Sequence, residues 1–240
     1  MSILTSWLSA LWALLYPPSC AACDEPLTEG EDTLCTLCRV TAPLTGFWRE
    51  YDNPVYEKLT AFVPLEHASA MLYFVRGSGW QRLIHRFKYH HRWRLALVMG
   101  RWYGSLLRES GLYADVDVVV PLPLHPFKRI LRGYNQSEYL AEGIAESLGV
   151  PLERGVLRRT RHTASQARKP RRERAANVEG AFALTDADRF AGRHLLLVDD
   201  VLTTGSTLIA AIEAIGEKTP SCRVSVAVLA ASRKELGIDG

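Results

Sequence analysis

The most constraining feature of this chain is a short apolar run that leads into two acids and a loop of small polar residues. The run is LLLV (195–198), the acids are Asp199 and Asp200, and the loop TTGST (203–207) follows after two more apolar residues. An apolar run of this length, followed by turn-forming residues and the helical pattern of 206–215, predicts a strand buried on both faces and then a helix. Such units build parallel sheets, in which ligands bind at the carboxyl ends of the strands.

The loop and the two acids offer complementary binding groups. At the start of a helix, backbone N–H groups, hydroxyls and the helix dipole form a seat for a phosphate dianion. The predicted phosphate-binding residues are Thr203, Thr204, Gly205, Ser206 and Thr207. The carboxylates of Asp199 and Asp200 lie where the hydroxyls of a ribose would follow from that phosphate. A plain strand–turn–helix with an aspartate N-cap would explain one acid but not the whole string, and the spacing matches neither a Walker A loop nor a dinucleotide-binding fingerprint.

Other segments complete an alternation of strands and helices. Apolar runs at 116–120 and 224–229 predict two more buried strands, and the amphipathic stretch Asn135–Leu148 predicts a helix that ends at Gly149. Strand, helix and strand at this spacing predict a parallel sheet with right-handed crossovers. Further predictions are helices over Trp80–His90 and Trp93–Leu107, short strands at Val156–Arg158 and Ala181–Leu184, and a hairpin of strands at Val55–Leu65 and Ala70–Val75.

The composition is that of a globular protein, with 48% hydrophobic and 23% charged residues. No run reaches the ~18 apolar residues that a membrane span needs, and the N-terminal apolar stretch lacks the basic residues of a signal peptide. That stretch, Ile3–Tyr16, has helical spacing and is ended by Pro17. We expect a helix docked on the rest of the chain, since its polar face lacks the basic residues of a membrane-surface helix; a membrane-surface or partner-binding helix is the alternative. The expected compartment is the cytoplasm.

Four of the five cysteines lie in two close pairs, Cys20-x-x-Cys23 and Cys35-x-x-Cys38, separated by eleven residues. Two such turns supply four thiolates for a tetrahedral Zn²⁺ site, which is structural because no coordination position stays open. A segment of about 25 residues has too little core to fold alone, so the metal supplies the missing stability. Four unrelated thiols are the alternative. The predicted division of the chain is an N-terminal helix over 1–16, a zinc ribbon over 17–50 and one domain over 51–240.

Two stretches of the chain are strongly basic. Residues 154–174 contain nine Arg or Lys and one acid, and residues 82–94 contain five Arg or Lys, three His and no acid. The second stretch interleaves its basic residues with aromatics, a combination typical of single-stranded nucleic-acid binding; a solvated helix with its aromatics in the core is the alternative. The candidate nucleic-acid residues are Arg86, Arg92, Arg94, Arg158, Arg159 and Arg161.

A third basic segment follows the predicted strand at 116–120. Leu122 and Pro123 belong to a proline-rich turn, and Arg132 lies further along the chain. The turn falls at the same predicted sheet edge as the two acids, a position that suits contact with a diphosphate; a solvated basic turn is the alternative. Lys88 could reach the same diphosphate.

The string from Leu195 to Thr207 closely resembles the phosphoribosyl-diphosphate signature of type I phosphoribosyltransferases. The resemblance implies that Asp199 and Asp200 bind the ribose 2′- and 3′-hydroxyls, that the loop holds the 5′-phosphate, and that Mg²⁺ bridges the ribose hydroxyls and the diphosphate. One departure is informative. 6-Oxopurine transferases have an aspartate at the position of Thr203, so this chain lacks that carboxylate for proton transfer to a purine.

A wider set of motifs resembles the ComF family of bacterial competence-associated proteins. The motifs are PLPLH (121–125), RGYNQ (132–136), T-x-x-Q (163–166), R-x-x-N-V (174–178) and VDDVLTTGST (198–207), behind the four-cysteine segment. The resemblance implies an α/β fold, in which a type I phosphoribosyltransferase-like parallel sheet is flanked by helices and carries a small N-terminal four-cysteine zinc ribbon. It also implies that the Arg-rich loop 160–177 closes over the diphosphate. The residues expected near the diphosphate are Lys88, Leu122, Pro123, Arg132, Arg171 and Arg174.

Two functions are compatible with these features. The first is a binding protein that holds phosphoribosyl diphosphate, or a similar ribose phosphate, with Mg²⁺. The resemblance implies that it assists the handling of transforming single-stranded DNA, alongside DNA-uptake or recombination proteins. The second is an active phosphoribosyltransferase that acts on an unidentified base or nucleotide-salvage substrate. We favour the first, because no segment carries a recognisable purine- or pyrimidine-reading set.

Overall fold

The centre of the fold is a four-stranded parallel sheet. The computed structural model describes residues 18–89, 92–124, 126–159 and 181–238. Its strands are β1 (Ala68–Tyr73), β2 (Val118–Pro121), β3 (Leu157–Arg159), β4 (Phe182–Leu184), β5 (His194–Leu202) and β6 (Arg223–Ala231). Its α-helices are α1 (Thr36–Val40), α2 (Pro54–Thr60), α3 (Gly79–Tyr89), α4 (Trp93–Ser110), α5 (Pro126–Arg132), α6 (Gln136–Leu148) and α7 (Ser206–Lys218). The sheet has the order β1–β6–β5–β2, and β3 and β4 form a separate antiparallel pair.

Strand β5 lies inside the sheet, between β6 and β2. Its residue Leu197 pairs with Val226 on one side and with Val120 on the other. Because these pairings are parallel, the carboxyl ends of the strands meet at one edge of the sheet. This confirms the parallel sheet predicted from the sequence. β5 is longer than predicted, since its pairing with β6 continues through Asp199 to Leu202, and the two acids therefore belong to the strand itself.

Helices cover both faces of the sheet. On one face α3, α4 and α6 bury side chains such as Phe87 and Ile144, and on the other α2 and α7 bury side chains such as Leu59. α4 and α6 pack closely because glycine lies at their contact: a Cβ atom at Gly100 would be only 2.2 Å from the carbonyl oxygen of Leu140. The close contact holds α6 against the sheet, with its first turn at the edge where the strands end.

The predicted hairpin of strands at Val55–Leu65 and Ala70–Val75 is wrong. Most of the first segment belongs to helix α2, whose cap is Asn53: its Oδ1 accepts hydrogen bonds from two N–H groups of the first turn. This cap, with Pro54 at the first helical position, favours a helix over the strand that the alternating pattern indicated. The second segment does contain β1, but β1 pairs in parallel with β6.

The other predicted strands and helices within the described residues are confirmed, with bounds that differ by a few residues. Helix α6 follows its cap residue Asn135 and ends at Gly149, which has a φ of 75° and the left-handed conformation common after helices. Helix α5 was not predicted, since the sequence predicts only a basic turn between Pro121 and Asn135.

The four-cysteine segment packs directly onto the rest of the chain. Cys20, Ala22 and Leu34 lie in the same hydrophobic core as Leu83 and Phe87 of α3. The predicted helix over 1–16 and the Arg-rich loop 160–177 fall outside the described residues. Among the described helices, none is long and apolar enough to cross a membrane.

Candidate functional site

The two acids of β5 lie at the carboxyl edge of the sheet, and each is held through one oxygen. Oδ1 of Asp199 accepts hydrogen bonds from Ser137 Oγ, at 3.0 Å, and from the N–H of Asp200, at 2.8 Å. Oδ2 of Asp200 accepts a hydrogen bond from Gln136 Nε2, at 2.7 Å, and lies 2.9 Å from Lys88 Nζ. Within the described part of the chain, no hydrogen bond reaches the other oxygen of either carboxylate. Among the described residues, one acceptor oxygen of each acid is therefore left without a hydrogen-bond donor.

The electrostatics of this pair favour a ligand that donates hydrogen bonds. Burial raises the pKa of Asp199 to about 7, and the charge of Asp200 acts in the same direction. The hydrogen bonds from the Asp200 N–H and from Ser137, together with the charge of Lys88, lower the pKa of Asp199 but only partly offset that rise. Two neighbouring carboxylates in this situation are stabilised by hydroxyl donors or by a bound cation.

The turn before α6 places the donors that hold the acids. Asn135 caps this helix: its Oδ1 accepts a hydrogen bond from the N–H of Ser137, at 3.2 Å, and its Nδ2 donates to the carbonyl of Leu122, at 3.0 Å. The second bond ties the start of α6 to the end of β2, the strand beside β5. Gln136 and Ser137, the first two residues of α6, therefore face the two acids.

The sequence does not single out Gln136 or Ser137 as site residues. A usable signal is present, because an asparagine directly before a helical pattern indicates an N-cap and so fixes where the first turn begins. The missing information is the partner: Ser137 and Gln136 meet acids that lie 62 and 64 residues further along the chain.

The loop predicted to hold a phosphate borders a cavity beside Asp199. The cavity is open to solvent and is lined by Asp199, Val201, Leu202, Thr203, Thr204, Gly205, Thr207 and Leu208. Gly205 has a φ of 82° and directly precedes α7. This left-handed residue turns the chain sharply into the helix. The first turn of α7, whose N–H groups have no partners within the helix, therefore begins at the cavity.

The residues predicted near a diphosphate occupy several environments. Lys88 lies at the acids themselves, paired with Asp200. Leu122 is buried, and Pro123 beside it is partly exposed. Arg132 is the last residue of α5 and is also partly exposed. The other two predicted residues, Arg171 and Arg174, lie outside the described residues.

Arg86, predicted to contact nucleic acid, has its contacts inside the protein. Its Nη1 donates to the carbonyl of Ala21, at 2.9 Å, and its Nη2 donates to both carboxylate oxygens of Asp24, at 2.6 and 2.8 Å. Phe87 next to it is buried in the core. For these two residues of α3 the structure agrees with the alternative interpretation, in which the aromatics of a basic helix enter the core.

The other candidate nucleic-acid residues are more varied. Arg159 is half-buried with its guanidinium 5.5 Å from the centre of the Phe182 ring, and burial lowers its pKa while the charge of Asp199 acts in the opposite direction. Arg159 is therefore near enough to the acidic pair to interact with it. The side chains of Arg92, Arg94 and Arg158 are exposed, and Arg161 lies outside the described residues.

The four cysteines of the N-terminal segment converge on one point. Their sulfur atoms all lie within 4.8 Å of one another, and those of Cys23 and Cys35 are 3.7 Å apart. Tetrahedral Zn–S bonds of ~2.3 Å place the sulfurs about 3.8 Å apart, so the observed spacing fits a metal site. Burial and the neighbouring thiols raise the pKa of Cys38 well above its usual value, and a bound cation removes that repulsion between thiolates. The arrangement is consistent with a four-cysteine zinc ribbon.

Comparison with known proteins identifies the family. A family model described as phosphoribosyl transferase domain matches residues 135–237. The chain is 32% identical to competence protein F of Haemophilus influenzae over 130 residues, which are 52% of this chain and 57% of that protein. It is 34% identical to the DNA utilization protein YhgH of Salmonella typhimurium over 214 residues, which are 81% of this chain and 89% of that protein. The chain belongs to the ComF family.

As a ComF-family member, the chain is a phosphoribosyltransferase-like protein related to proteins named for competence and DNA utilization. This confirms the family resemblance and the fold class expected from the sequence. The matched region 135–237 contains the cap residue Asn135, the two acids and the phosphate loop. Among solved structures, glutamine phosphoribosylpyrophosphate amidotransferase from B. subtilis, complexed with ADP and GMP, aligns with a TM-score of 0.41 and 20% identity over 60% of this chain and 30% of that chain.

Proposed function

We propose that this ComF-family protein binds phosphoribosyl diphosphate, or a similar ribose phosphate, with Mg²⁺ at the carboxyl edge of the sheet. We also propose that it works in the cytoplasm, where it assists the handling of transforming single-stranded DNA. The observation that carries the first part is the pair of carboxylates, each fixed through one oxygen with no described hydrogen bond to the other, of which Asp199 lines a cavity at the start of a helix.

The open oxygens of Asp199 and Asp200 match the two neighbouring hydroxyls of a ribose, because a hydroxyl donates one hydrogen bond and a carboxylate oxygen accepts it. A phosphate attached to the same ribose would then reach the loop over 203–207. There the hydroxyls, the N–H groups of the first turn of α7 and the helix dipole all favour a dianion. Both groups of the ligand would be held by one continuous segment of the chain.

The diphosphate of the same ligand would bring a large negative charge toward the acids. Bound Mg²⁺ would neutralise part of that charge, and the carboxylates of Asp199 and Asp200 are oxygen groups of the kind that suit this cation. The residues of the chain would hold those hydroxyls through Asp199 and Asp200 and offer Arg132 as a cationic side chain for the diphosphate. Lys88, predicted for the same role, is paired with Asp200 and would hold that carboxylate in position.

For the ribbon we propose Zn²⁺ as the metal. Cys20, Cys23, Cys35 and Cys38 offer four soft thiolates, and four such ligands leave no coordination position for chemistry, so the role is structural. Thiols used as metal ligands, rather than as disulfides, are typical of a reducing compartment, and this supports the cytoplasm.

The proposed role with DNA is supported by the names of the relatives and by exposed basic residues. The guanidinium of Arg94 lies 5.4 Å from the centre of the Trp93 ring, and this ring stacks on Tyr139 with centres 5.0 Å apart. Arg92 and Arg158 are exposed. Cations beside stacked aromatic rings suit single-stranded DNA, so the logarithm of affinity should fall linearly with that of the salt concentration. DNA-uptake or recombination proteins are the partners we propose.

An active phosphoribosyltransferase is the second candidate, and the family match over 135–237 favours it. Thr203 counts against transfer to a 6-oxopurine, because it supplies no carboxylate at the position expected to face the base. The two candidates differ in one product. Release of diphosphate, on incubation with phosphoribosyl diphosphate, Mg²⁺ and a panel of bases, would support the enzyme, and no release across the panel would count against it.

Titration calorimetry with phosphoribosyl diphosphate and Mg²⁺ tests the binding proposal. Wild type is expected to bind, and the double variant Asp199→Asn with Asp200→Asn is expected to bind at least about 100-fold more weakly, a loss of ~2.7 kcal/mol. Asp188→Asn is the matched control, since Asp188 is an exposed aspartate of the helical turn Ala187–Phe190 and lies outside the proposed site. Equal affinities of the double variant and wild type would contradict the proposal.

A further inference from the structure

We infer that helix α3 couples the metal-bound ribbon to the ribose-phosphate site, so that metal occupancy of the ribbon sets the affinity of the site. The inference rests on the proposed function and concerns how the affinity of that same site is regulated. α3 is held to the ribbon through Arg82 and Arg86, and near its C-terminal end it carries Lys88, which contacts Asp200.

The first contact is a set of hydrogen bonds between α3 and the turn that carries the first two cysteines. Arg82 Nη2 donates to the carbonyl of Ala22, at 3.1 Å. Arg86 donates to the carbonyl of Ala21, at 2.9 Å, and to both oxygens of the Asp24 carboxylate, at 2.6 and 2.8 Å. Two arginines one helical turn apart therefore hold three residues of the ribbon.

The turn and the helix also pack without spare room. A Cβ atom at Gly79, the first residue of α3, would lie 2.2 Å from the carbonyl oxygen of Ala22. Asp24 itself has a φ of 70°, a left-handed conformation that is uncommon outside glycine and that its ion pair with Arg86 helps to maintain. The turn cannot move far without moving α3. Since Cys20 and Cys23 begin and end this turn, the metal they would bind fixes its shape.

The second contact lies at the C-terminal end of the same helix. Lys88, two residues after Arg86, places Nζ 2.9 Å from Oδ2 of Asp200. The neighbouring carbonyl of Phe87 accepts a hydrogen bond from the hydroxyl of Tyr134, close to the start of α6. The end of α3 is therefore joined to both of the elements that form the acidic site.

Lys88 acts on the ligand through Asp200. It shares Oδ2 with Gln136, and these two donors leave Oδ1 of the same carboxylate open for a ribose hydroxyl. Loss of Lys88 frees the carboxylate to rotate and leaves more uncompensated negative charge beside Asp199. Lys88 is thus a positioning residue of the site, and Arg86 positions Lys88.

A double-mutant cycle separates this coupling from a general loss of stability. The affinity for phosphoribosyl diphosphate with Mg²⁺ would be measured by calorimetry for wild type, Arg86→Ala, Lys88→Met and the double variant. We expect about 5-fold weaker binding for Arg86→Ala, about 10-fold for Lys88→Met, and no further loss in the double variant. Additive losses would overturn the inference, as would unchanged affinity of Arg86→Ala.

The effect of the ribbon metal is measured by the same calorimetric affinity. The ribbon metal would be removed with a chelator that is dialysed away before Mg²⁺ and ligand are added. Its removal should weaken binding by wild type about as much as Arg86→Ala does, and should leave the affinity of Lys88→Met unchanged. The control is Arg101→Ala, which breaks an ion pair of 2.6 Å with Glu146 on helices away from this contact and should bind as wild type. A metal-free wild type that binds with full affinity would refute the coupling.

A measurement without ligand distinguishes this inference from the proposed function. Hydrogen exchange would be measured on the protein with and without metal. Without metal, the amides of α3 and of the end of β5 should exchange faster, and those of the second half of α4 should exchange at the same rate. If wild type fails to bind the ligand, the proposed function is wrong, and the exchange pattern still decides whether the ribbon is coupled to Asp200. Exchange that changes only within the ribbon would overturn the coupling.

Discussion

Strand β5 carries buried polar side chains at both of its ends, and the two groups differ in how completely they are hydrogen-bonded. At the start of the strand, both ring nitrogens of His194 are paired, Nδ1 with Asp115 at 3.0 Å and Nε2 with Ser225 at 2.8 Å. At its end, Asp199 and Asp200 each keep one oxygen that no described hydrogen-bond donor reaches. The same strand therefore has one completed polar group and one incomplete group.

The difference separates a structural role from a binding role. A buried polar group whose partners are all present stabilises the fold and has nothing left to offer a ligand. The group at the start is extended by Arg223, which lies 2.6 Å from Asp115, and by Asp117, which accepts the N–H of His194 at 2.7 Å. The incomplete group lies at the carboxyl edge, where parallel sheets bind ligands.

The largest expected effect comes from removal of the imidazole at the completed end. His194→Ala removes one hydrogen-bond partner each from Asp115 and the buried Ser225 and opens a space in the core, so we expect a loss of about 2–4 kcal/mol in the free energy of unfolding. Affinity for phosphoribosyl diphosphate, measured by calorimetry on the folded variant, should equal that of wild type. A weaker affinity would show that the two ends of β5 are not independent.

The second prediction concerns the pH dependence of stability at the incomplete end. The folded-state pKa of Asp199 is raised from 3.8 to about 7, chiefly by burial. Between these values the folded protein holds a proton that the unfolded chain has lost, so stability falls as pH rises through this window. Asp199→Asn removes the effect, and urea unfolding at pH 4 to 7 should show a smaller decline for the variant than for wild type. Parallel curves would contradict the assignment.

The completed end should show the opposite sign. Burial alone would raise the pKa of Asp115, but the hydrogen bond from Arg223 and the charge of His194 outweigh it, and the pKa lies below 3.8. This group therefore contributes stability above about pH 4 that is lost as the pH falls further. In an unfolding series extended below pH 4, Asp115→Asn should lower stability at neutral pH and flatten only the acid limb of the curve.

The sequence could predict those elements whose signals are local. β5, the two acids, the phosphate loop and α7 follow one another without a break, so one periodic pattern and one turn specify them together. The segment over 55–65 shows the weakness of the same approach. Its alternating residues indicated a strand, while the cap at Asn53 and the proline after it determined a helix.

The contacts that complete the site could not be predicted, because they join distant parts of the chain. Gln136 and Lys88 meet on one oxygen of Asp200, and no local pattern specifies that meeting. Arg86 gives the clearest example. Its basic and aromatic neighbours indicated nucleic-acid binding, whereas its partner Asp24 lies 62 residues earlier, in a segment organised by the cysteines.

A smaller effect is expected from the donor that holds Asp200. Gln136→Met keeps the size of the side chain but removes the hydrogen bond of 2.7 Å to Oδ2. Hydrogen bonds to charged groups contribute about 1.5 kcal/mol or more, so calorimetry should show binding of phosphoribosyl diphosphate weakened roughly 10-fold. Stability should change little, because Lys88 remains and the buried Oε1 of Gln136, which has no hydrogen-bond partner among the described residues, is removed as well. Unaltered affinity would mean that Lys88 alone orients the carboxylate.

The smallest expected effect tests the backbone of the phosphate loop. Gly205 has a φ of 82°, and a Cβ atom there would lie 3.1 Å from Cδ2 of Leu59, a flexible side-chain end that can yield slightly. Gly205→Ala should therefore cost roughly 1 kcal/mol of stability, mainly from the strained left-handed conformation, and should weaken ligand binding a few-fold as the loop shifts. Gly216→Ala is the matched control on the same helix: its Cβ meets no atom within 4 Å and its φ is negative, so alanine should raise stability by about 0.5–1 kcal/mol without affecting affinity. If both substitutions had the same sign in urea unfolding, the turn at Gly205 would not require its left-handed conformation. If Gly205→Ala also left the affinity unchanged, the incomplete end of β5 would bind its ligand without help from the backbone of this turn.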